Sequence, residues 1–173
     1  MSASTAGRLA SNPVSDIRDL SREAPKALRP VTVAELSSMP PADVDDLFRS
    51  GSVGQIPDGE AVGTALFKPG ARVQPFLEKF VRSWAWQGKQ FRAGSRRLEN
   101  LILPLGIRAI SADVYRGMSW FDAEPCIVLD YSRRSFVARQ IRDEIRRVAP
   151  GLYLGLVYWG KTRLMYFTLQ FPA

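Results

Sequence analysis

The chain has no histidine and a single cysteine, Cys126, among 173 residues. Without His there is no Ser-His-Asp or Cys-His catalysis, no His-ligated zinc and no His-ligated haem iron. One Cys excludes an internal disulfide and a cysteine metal cluster. No apolar run approaches the ~18 residues that a membrane-crossing helix needs. What remains is an ordinary globular composition, 46% hydrophobic and 24% charged, in a length that can bury a core without staples.

The formal net charge of +7 is unevenly placed. Residues 1–50 hold 6 basic and 7 acidic side chains, or −1, and residues 51–173 hold 18 and 10, or +8. Basic character therefore belongs to the folded body, where Arg and Lys solvate the surface or meet an anionic partner.

Residues 1–30 are rich in Ser, Ala, Arg and Pro and carry only scattered apolar residues, so they read as a flexible tail with one short helix over Val14–Leu20. They contain no continuous apolar segment of the kind secretion uses, and a cytoplasmic location is expected. Residues 31–55 read as a helical arm. Thr32 and Glu35 have capping-box spacing, Met39-Pro40-Pro41 breaks the first helix, and Asp43–Phe48 restarts it with acids in its first turn and Gly51 as its stop.

Residues 56–173 read as one barrel-like domain. From Asp58-Gly59 the period is two, and the face holding Ala61, Gly63 and Ala65 is nearly bare of side chains, as suits a strand against which something packs closely. Val73, Phe76, Leu77, Phe80, Val81 and Trp84 then form one helical stripe. Short strands follow at Trp86–Phe91, Leu98–Leu103, Ile107–Arg116, Cys126–Tyr131, Leu152–Trp159 and Arg163–Phe171. A second amphipathic helix is expected over Ser135–Val148, with Val137, Ile141, Ile145 and Val148 on one face and a solvated, ion-paired face carrying its arginines. Seven strands at this spacing fit an antiparallel barrel or a strongly curved sheet.

Taking Gly160-Lys161 as a two-residue type II′ turn pairs Trp159 with Thr162 and Tyr158 with Arg163. Counting back puts Leu152, Leu154, Leu156, Tyr158, Arg163, Met165, Phe167, Leu169 and Phe171 on one face, and Tyr153, Gly155, Val157, Trp159, Thr162, Leu164, Tyr166, Thr168 and Gln170 on the other. Of the first face, Leu154, Leu156, Tyr158, Arg163, Met165 and Phe167 are the candidate ligand-binding residues. The second mixes rings with hydroxyl and amide groups, as a partly wet surface or a ligand-lined wall does.

The stretches Asp58–Ala65, Trp86–Lys89, Cys126–Ser132, Ile141–Ile145, Val148–Gly155 and Tyr158–Gly160 resemble a family of small, largely uncharacterised microbial proteins, similar in general look to lipocalin-like, or calycin-type, barrels. The resemblance covers roughly residues 56–171. It implies a small barrel able to take an apolar ligand and carries over no catalytic residues. Calycin-like haem proteins use a His ligand, which is absent here.

Without His, a general acid or base must be Asp, Glu, Tyr, Lys or Cys. Asp113, flanked at alternate positions by Ser111 and Tyr115, and Asp130, ending the apolar run from Cys126, are the candidate catalytic carboxylates, with Tyr115 as partner. A carboxylate ending a buried strand is pushed up in pKa unless paired. The alternative for each is a salt bridge to Arg or a cap. Asp122 and Glu124 lie in a polar turn and read as solvated, too few for a metal site. Cys126 reads as buried and inert. Gly88-Lys89 and Gly160-Lys161 read as turns, since neither belongs to a phosphate-cradling loop. No cofactor and no metal is expected.

The expected fold is thus mostly β with added α: a small antiparallel, lipocalin-like barrel or curved sheet with two amphipathic helices and an N-terminal helical arm. The expected function is binding of a hydrophobic or amphipathic small molecule of fatty acyl or isoprenoid class. The runner-up is an isomerase, cyclase or lyase using an Asp/Tyr pair on the same barrel. An RNA-binding or anionic-lipid-binding basic module ranks third. Convergence of a carboxylate and a Tyr inside the barrel separates the first two.

Overall fold

The computed structural model describes residues 31–66, 86–102, 107–134 and 138–172. The tail 1–30 and the apolar stripe Val73–Trp84 lie outside the described residues. Among the described residues two helices, α1 (Val33–Ser38) and α2 (Pro41–Ser50), precede eight strands: β1 (Gly59–Leu66), β2 (Trp86–Arg92), β3 (Arg97–Ile102), β4 (Ile107–Met118), β5 (Pro125–Asp130), β6 (Ile141–Ala149), β7 (Leu152–Trp159) and β8 (Thr162–Gln170). Each strand pairs antiparallel with the next, and β1 pairs with β8, so the sheet closes into an up-and-down barrel.

Local sequence explains most of these limits. The Thr32 amide donates to Glu35 Oε2 and the Glu35 amide to Thr32 Oγ1, completing the capping box of α1. Pro41 opens α2, and Asp43 sits in its first turn. In the β7–β8 turn Gly160 has φ 56° while Lys161 does not enter the positive-φ region, as the type II′ geometry requires.

The expected helix over Ser135–Val148 is corrected: Ile141–Ala149 is strand β6, paired with β5 and β7. Ile141 and Ile145, four residues apart, share a face in a helix and in a strand alike. The even spacing therefore could not separate the two periods. Val148, an odd step from Ile145, does separate them, because it falls in the outer cluster while Ile145 is in the inner one.

Two apolar clusters divide the molecule. The inner one draws on every strand and includes Ala61, Phe91, Leu98, Val114, Leu129, Ile145, Val157 and Phe167, and so lines the barrel interior. The outer one joins Leu36, Val44 and Phe48 of the helical arm to Val148, Leu154, Leu156, Tyr158 and Tyr166. Strand β7 is consequently apolar on both faces, one turned into the barrel and one lying under α1 and α2.

The hairpin register holds at the turn, with Trp159 opposite Thr162 and Tyr158 opposite Arg163, but a β-bulge follows. Val157 faces Met165, so Leu164 has no opposite residue, and beyond it Leu156 faces Tyr166 and Leu154 faces Thr168. One extra residue turns the rest of β8 over relative to β7. The expected common face of Leu154, Leu156, Met165 and Phe167 is therefore corrected: Met165 and Phe167 point inward, and Leu154 and Leu156 point outward beneath the arm.

The arm is anchored by charge as well as by apolar contact. Arg146 is 1% exposed, and all five of its N–H donors are used. Nε donates to the Pro125 carbonyl, Nη1 to the Phe48 carbonyl and Asp122 Oδ2, and Nη2 to Asp122 Oδ1 and the Glu124 carbonyl. One side chain thus binds the end of α2 and the β4–β5 turn to the barrel. Asp122, expected to be solvated, is half of this bidentate pair. Asp45 of α2 likewise accepts from Arg163 at 2.7 and 3.2 Å and from the Tyr166 hydroxyl at 2.7 Å. Glu144, fully buried, accepts from Ser119 Oγ at 2.5 Å, the Trp120 amide at 2.8 Å and Arg142 Nε at 3.0 Å.

After α2 the chain passes across the barrel where β7 begins. Ser52 bridges Arg147, Val53 and Ile56 pack on the inner cluster, and the Tyr153 hydroxyl donates to the Gln55 carbonyl. Arg116 Nη2 donates to the Gly54 carbonyl at 2.6 Å.

Candidate functional site

Inside the barrel lies a cluster that the sequence did not single out. Lys89 on β2 stands between Ala61 of β1 and Asn100 of β3 in the sheet, so Gly88-Lys89 is strand and not turn. Asp143 on β6 stands between Leu129 of β5 and Val157 of β7. In an eight-stranded ring β2 and β6 are on opposite walls, and their side chains meet across the interior. Lys89 Nζ donates to Asp143 Oδ2 at 2.7 Å and to the Tyr131 hydroxyl at 2.6 Å, and that hydroxyl donates to the same carboxylate oxygen at 3.2 Å. The three residues are 1%, 2% and 1% exposed, which makes this a desolvated charge pair.

Aromatic rings enclose the ammonium. Lys89 Nζ lies 5.1 Å from the centroid of the Phe167 ring and 5.3 Å from that of Tyr131. Phe167 can lie there because its neighbour in the sheet is Gly155: a Cβ on Gly155 would stand 2.3 Å from two atoms of the ring. Burial lowers the Lys89 pKa from its ordinary value, with the charge and hydrogen bond of Asp143 opposing that fall. Asp143 Oδ1 is buried and has no hydrogen-bond partner among the described residues. A carboxylate oxygen left without a donor at this depth costs free energy.

The expected catalytic residues do come together, but on the outer surface. Asp113 and Asp130 face each other across β4 and β5, and the Tyr115 hydroxyl donates to Asp130 Oδ2 at 3.3 Å. Arg134 pairs with Asp113 at 2.9 Å, and the Ser132 amide donates to Asp130 Oδ1 at 2.9 Å. Burial alone would raise the Asp130 pKa, but the Ser132 and Tyr115 hydrogen bonds and the Arg142 charge hold it below its ordinary value. Tyr115 is raised, by burial first and then by Asp130. Asp130 is the cap of a short turn, ionised and partly exposed, and not a carboxylate tuned upward at a strand end.

The candidate ligand-binding residues divide between the two faces. Met165 and Phe167 line the interior, whereas Leu154, Leu156 and Tyr158 are covered by the arm and Arg163 is paired with Asp45. Cys126 is buried, and burial followed by the Glu144 charge pushes its thiol up to about 12, leaving it protonated and unreactive.

One signal in the sequence pointed to the interior cluster. In Ile141-Arg142-Asp143-Glu144-Ile145, a strand places Asp143 on the apolar face between two isoleucines. The helical reading hid it by placing Asp143 on a solvated side.

Fold and site together define an eight-stranded up-and-down antiparallel barrel with a charged, hydrogen-bonded group at its centre. The chain matches no protein-family model and no curated protein. A solved structure of a protein from Thermomonospora curvata is similar to it, with a TM-score of 0.56 and 19% identity over 81% of this chain and 95% of that one. At that identity the likeness speaks for the fold.

Proposed function

We propose that the protein is a lipocalin-like binder of an amphipathic small molecule of fatty acyl or isoprenoid class, whose apolar body lies in the barrel and whose polar head meets Lys89, Tyr131 and Asp143. The observation that carries this reading is the buried Asp143 Oδ1, without a donor among the described residues, because a ligand hydroxyl or amide N–H would satisfy it. An eight-stranded barrel is just wide enough to be filled by side chains or to hold one small ligand. The inward positions of β1, Ala61, Gly63 and Ala65, give up side-chain volume next to the Lys89 wall. A buried ion pair is poor stabilisation compared with packed apolar residues, so its presence at the centre of a core favours a binding role.

A second reading, an enzyme on the same barrel, is favoured by the meeting of a carboxylate and a tyrosine inside it. The pair is Asp143 and Tyr131, not Asp130 and Tyr115. A nucleic-acid or anionic-lipid surface gains less support, since Arg142, Arg146 and Arg163 are committed to Glu144, Asp122 and Asp45.

The test is titration with a pyrene-labelled long-chain alcohol, followed by fluorescence, beside native mass spectrometry of gently purified protein. The expected result is saturable binding of one probe per chain. It should weaken roughly tenfold or more in Asp143→Asn, as the loss of a hydrogen bond to a charged group implies. Absence of saturable binding by the wild-type protein overturns the reading.

A further inference from the structure

We propose that Lys89 is an imine-forming residue: its Nζ condenses with the carbonyl carbon of an apolar aldehyde or ketone held in the barrel, with Asp143 as counterion of the protonated imine. This rests on the binding reading above and narrows its ligand to a carbonyl compound.

Three features of the site carry the inference. First, the amine is enclosed: Lys89 is 1% exposed and lies against the Phe167 and Tyr131 rings, surroundings that favour an apolar carbonyl compound over water. Second, a proton acceptor is in contact. Asp143 Oδ2 is 2.7 Å from Nζ, and the Tyr131 hydroxyl, 2.6 Å from Nζ and 3.2 Å from Oδ2, provides a second route between them. Attack needs the neutral amine, and desolvation moves Lys89 in that direction. Third, Asp143 Oδ1 is without a donor among the described residues, and the hydroxyl of the carbinolamine intermediate is a donor that forms during the reaction.

The step balances without any further reactant. The Lys89 ammonium gives a proton to Asp143, directly or through Tyr131. The amine lone pair then forms the C–N bond as the carbonyl π electrons move to oxygen, which is protonated to the carbinolamine. The C–O bond breaks with loss of water, the nitrogen lone pair closes the C=N bond, and one proton stays on nitrogen. An ammonium and a carbonyl group become a protonated imine and water, with no oxidation or reduction. A cation beside the Asp143 carboxylate is replaced by a cation, so the interior never holds an uncompensated charge in either stable state.

The test uses the wild-type protein with decanal and sodium cyanoborohydride, which reduces the imine to a stable secondary amine, and reads intact mass and peptide maps. The chain has four other lysines, Lys26, Lys68, Lys79 and Lys161, as internal references; Lys161 is exposed on the β7–β8 turn. The expected result is one adduct per chain, at Lys89, formed at least ~10-fold faster than at Lys161, as for a reaction between groups held together. Lys89→Arg, which keeps a cation for Asp143 but has no nucleophilic amine, should lose that adduct. If the pyrene-alcohol probe binds while decanal labels Lys89 no faster than Lys161, the imine proposal falls and the binding reading stands. If Lys89 is labelled quickly but the probe does not bind, the imine stands and the broader ligand class falls. Failure of both overturns both.

Discussion

Lys89 and Asp143 are separated by 54 residues of chain, yet their charged atoms meet at 2.7 Å across the barrel. The contact exists because alternation along β2 and β6 turns both side chains inward, where Phe91, Ile141 and Ile145 make an otherwise apolar lining. Removing either partner leaves an uncompensated charge in that lining. Lys89→Met and Asp143→Leu should each cost about 3–5 kcal/mol in urea unfolding, and the double variant should recover most of the loss. Additive single losses would mean that the two residues act separately.

Gly155 and Phe167 make a second inward pair whose sizes are matched. Since a Cβ on Gly155 would overlap the ring, Gly155→Ala should cost roughly 1–3 kcal/mol. The cost should shrink when Phe167→Leu is made as well. A thermal unfolding series of the two single variants and the double variant checks this.

The helical arm should come away when Arg146 is shortened. Arg146→Met removes the donors to Asp122 and to the Phe48 and Glu124 carbonyls, so a loss of about 3 kcal/mol is expected. Early proteolytic cleavage within residues 39–55 should accompany it. Arg146→Lys should rescue little, because an ammonium cannot reproduce the planar bidentate fork.

Acid should weaken the same anchor. Although burial pushes the Asp122 carboxyl up, hydrogen bonds from Arg146 and the Glu124 amide hold it below its ordinary value of 3.8. A carboxylate whose pKa falls on folding contributes stability that is present above the unfolded pKa and lost as pH drops through the folded one. Stability should therefore decline below about pH 4, and Asp122→Asn should flatten that part of the profile. A profile unchanged by the substitution would show that Asp122 is not linked to folding.

Much of this architecture could be read from the chain. The capping box of α1, the Pro-led start of α2 and the glycine turn between β7 and β8 each rest on local chemistry that tertiary contacts did not override. Strand β7 was legible to the residue, because a short apolar run between Gly151 and Gly160 has few other forms. Two things were hidden. Isoleucines four apart in β6 satisfy both periods, and the bulge at Leu164 has no sequence signature, since Leu164 and Met165 are alike in size and polarity. The interior cluster was lost with them. Asp143 could be recognised as buried only once β6 was a strand, and Lys89 only once a partner on the opposite wall was known to be there.

Room for a ligand beside Lys89 is the central claim, and Ala61 tests it most directly because it is the inward residue of β1 paired with Lys89. The measurement is binding of the pyrene-labelled alcohol to wild type and to Ala61→Leu, each with its thermal midpoint. If the bare face of β1 borders ligand space, Ala61→Leu fills that space, so the midpoint holds while saturable binding disappears. If the interior is a dry packed core, the added side chain overfills it, costing roughly 1–3 kcal/mol. A lowered midpoint, together with a wild-type protein that takes up no probe, would contradict the account.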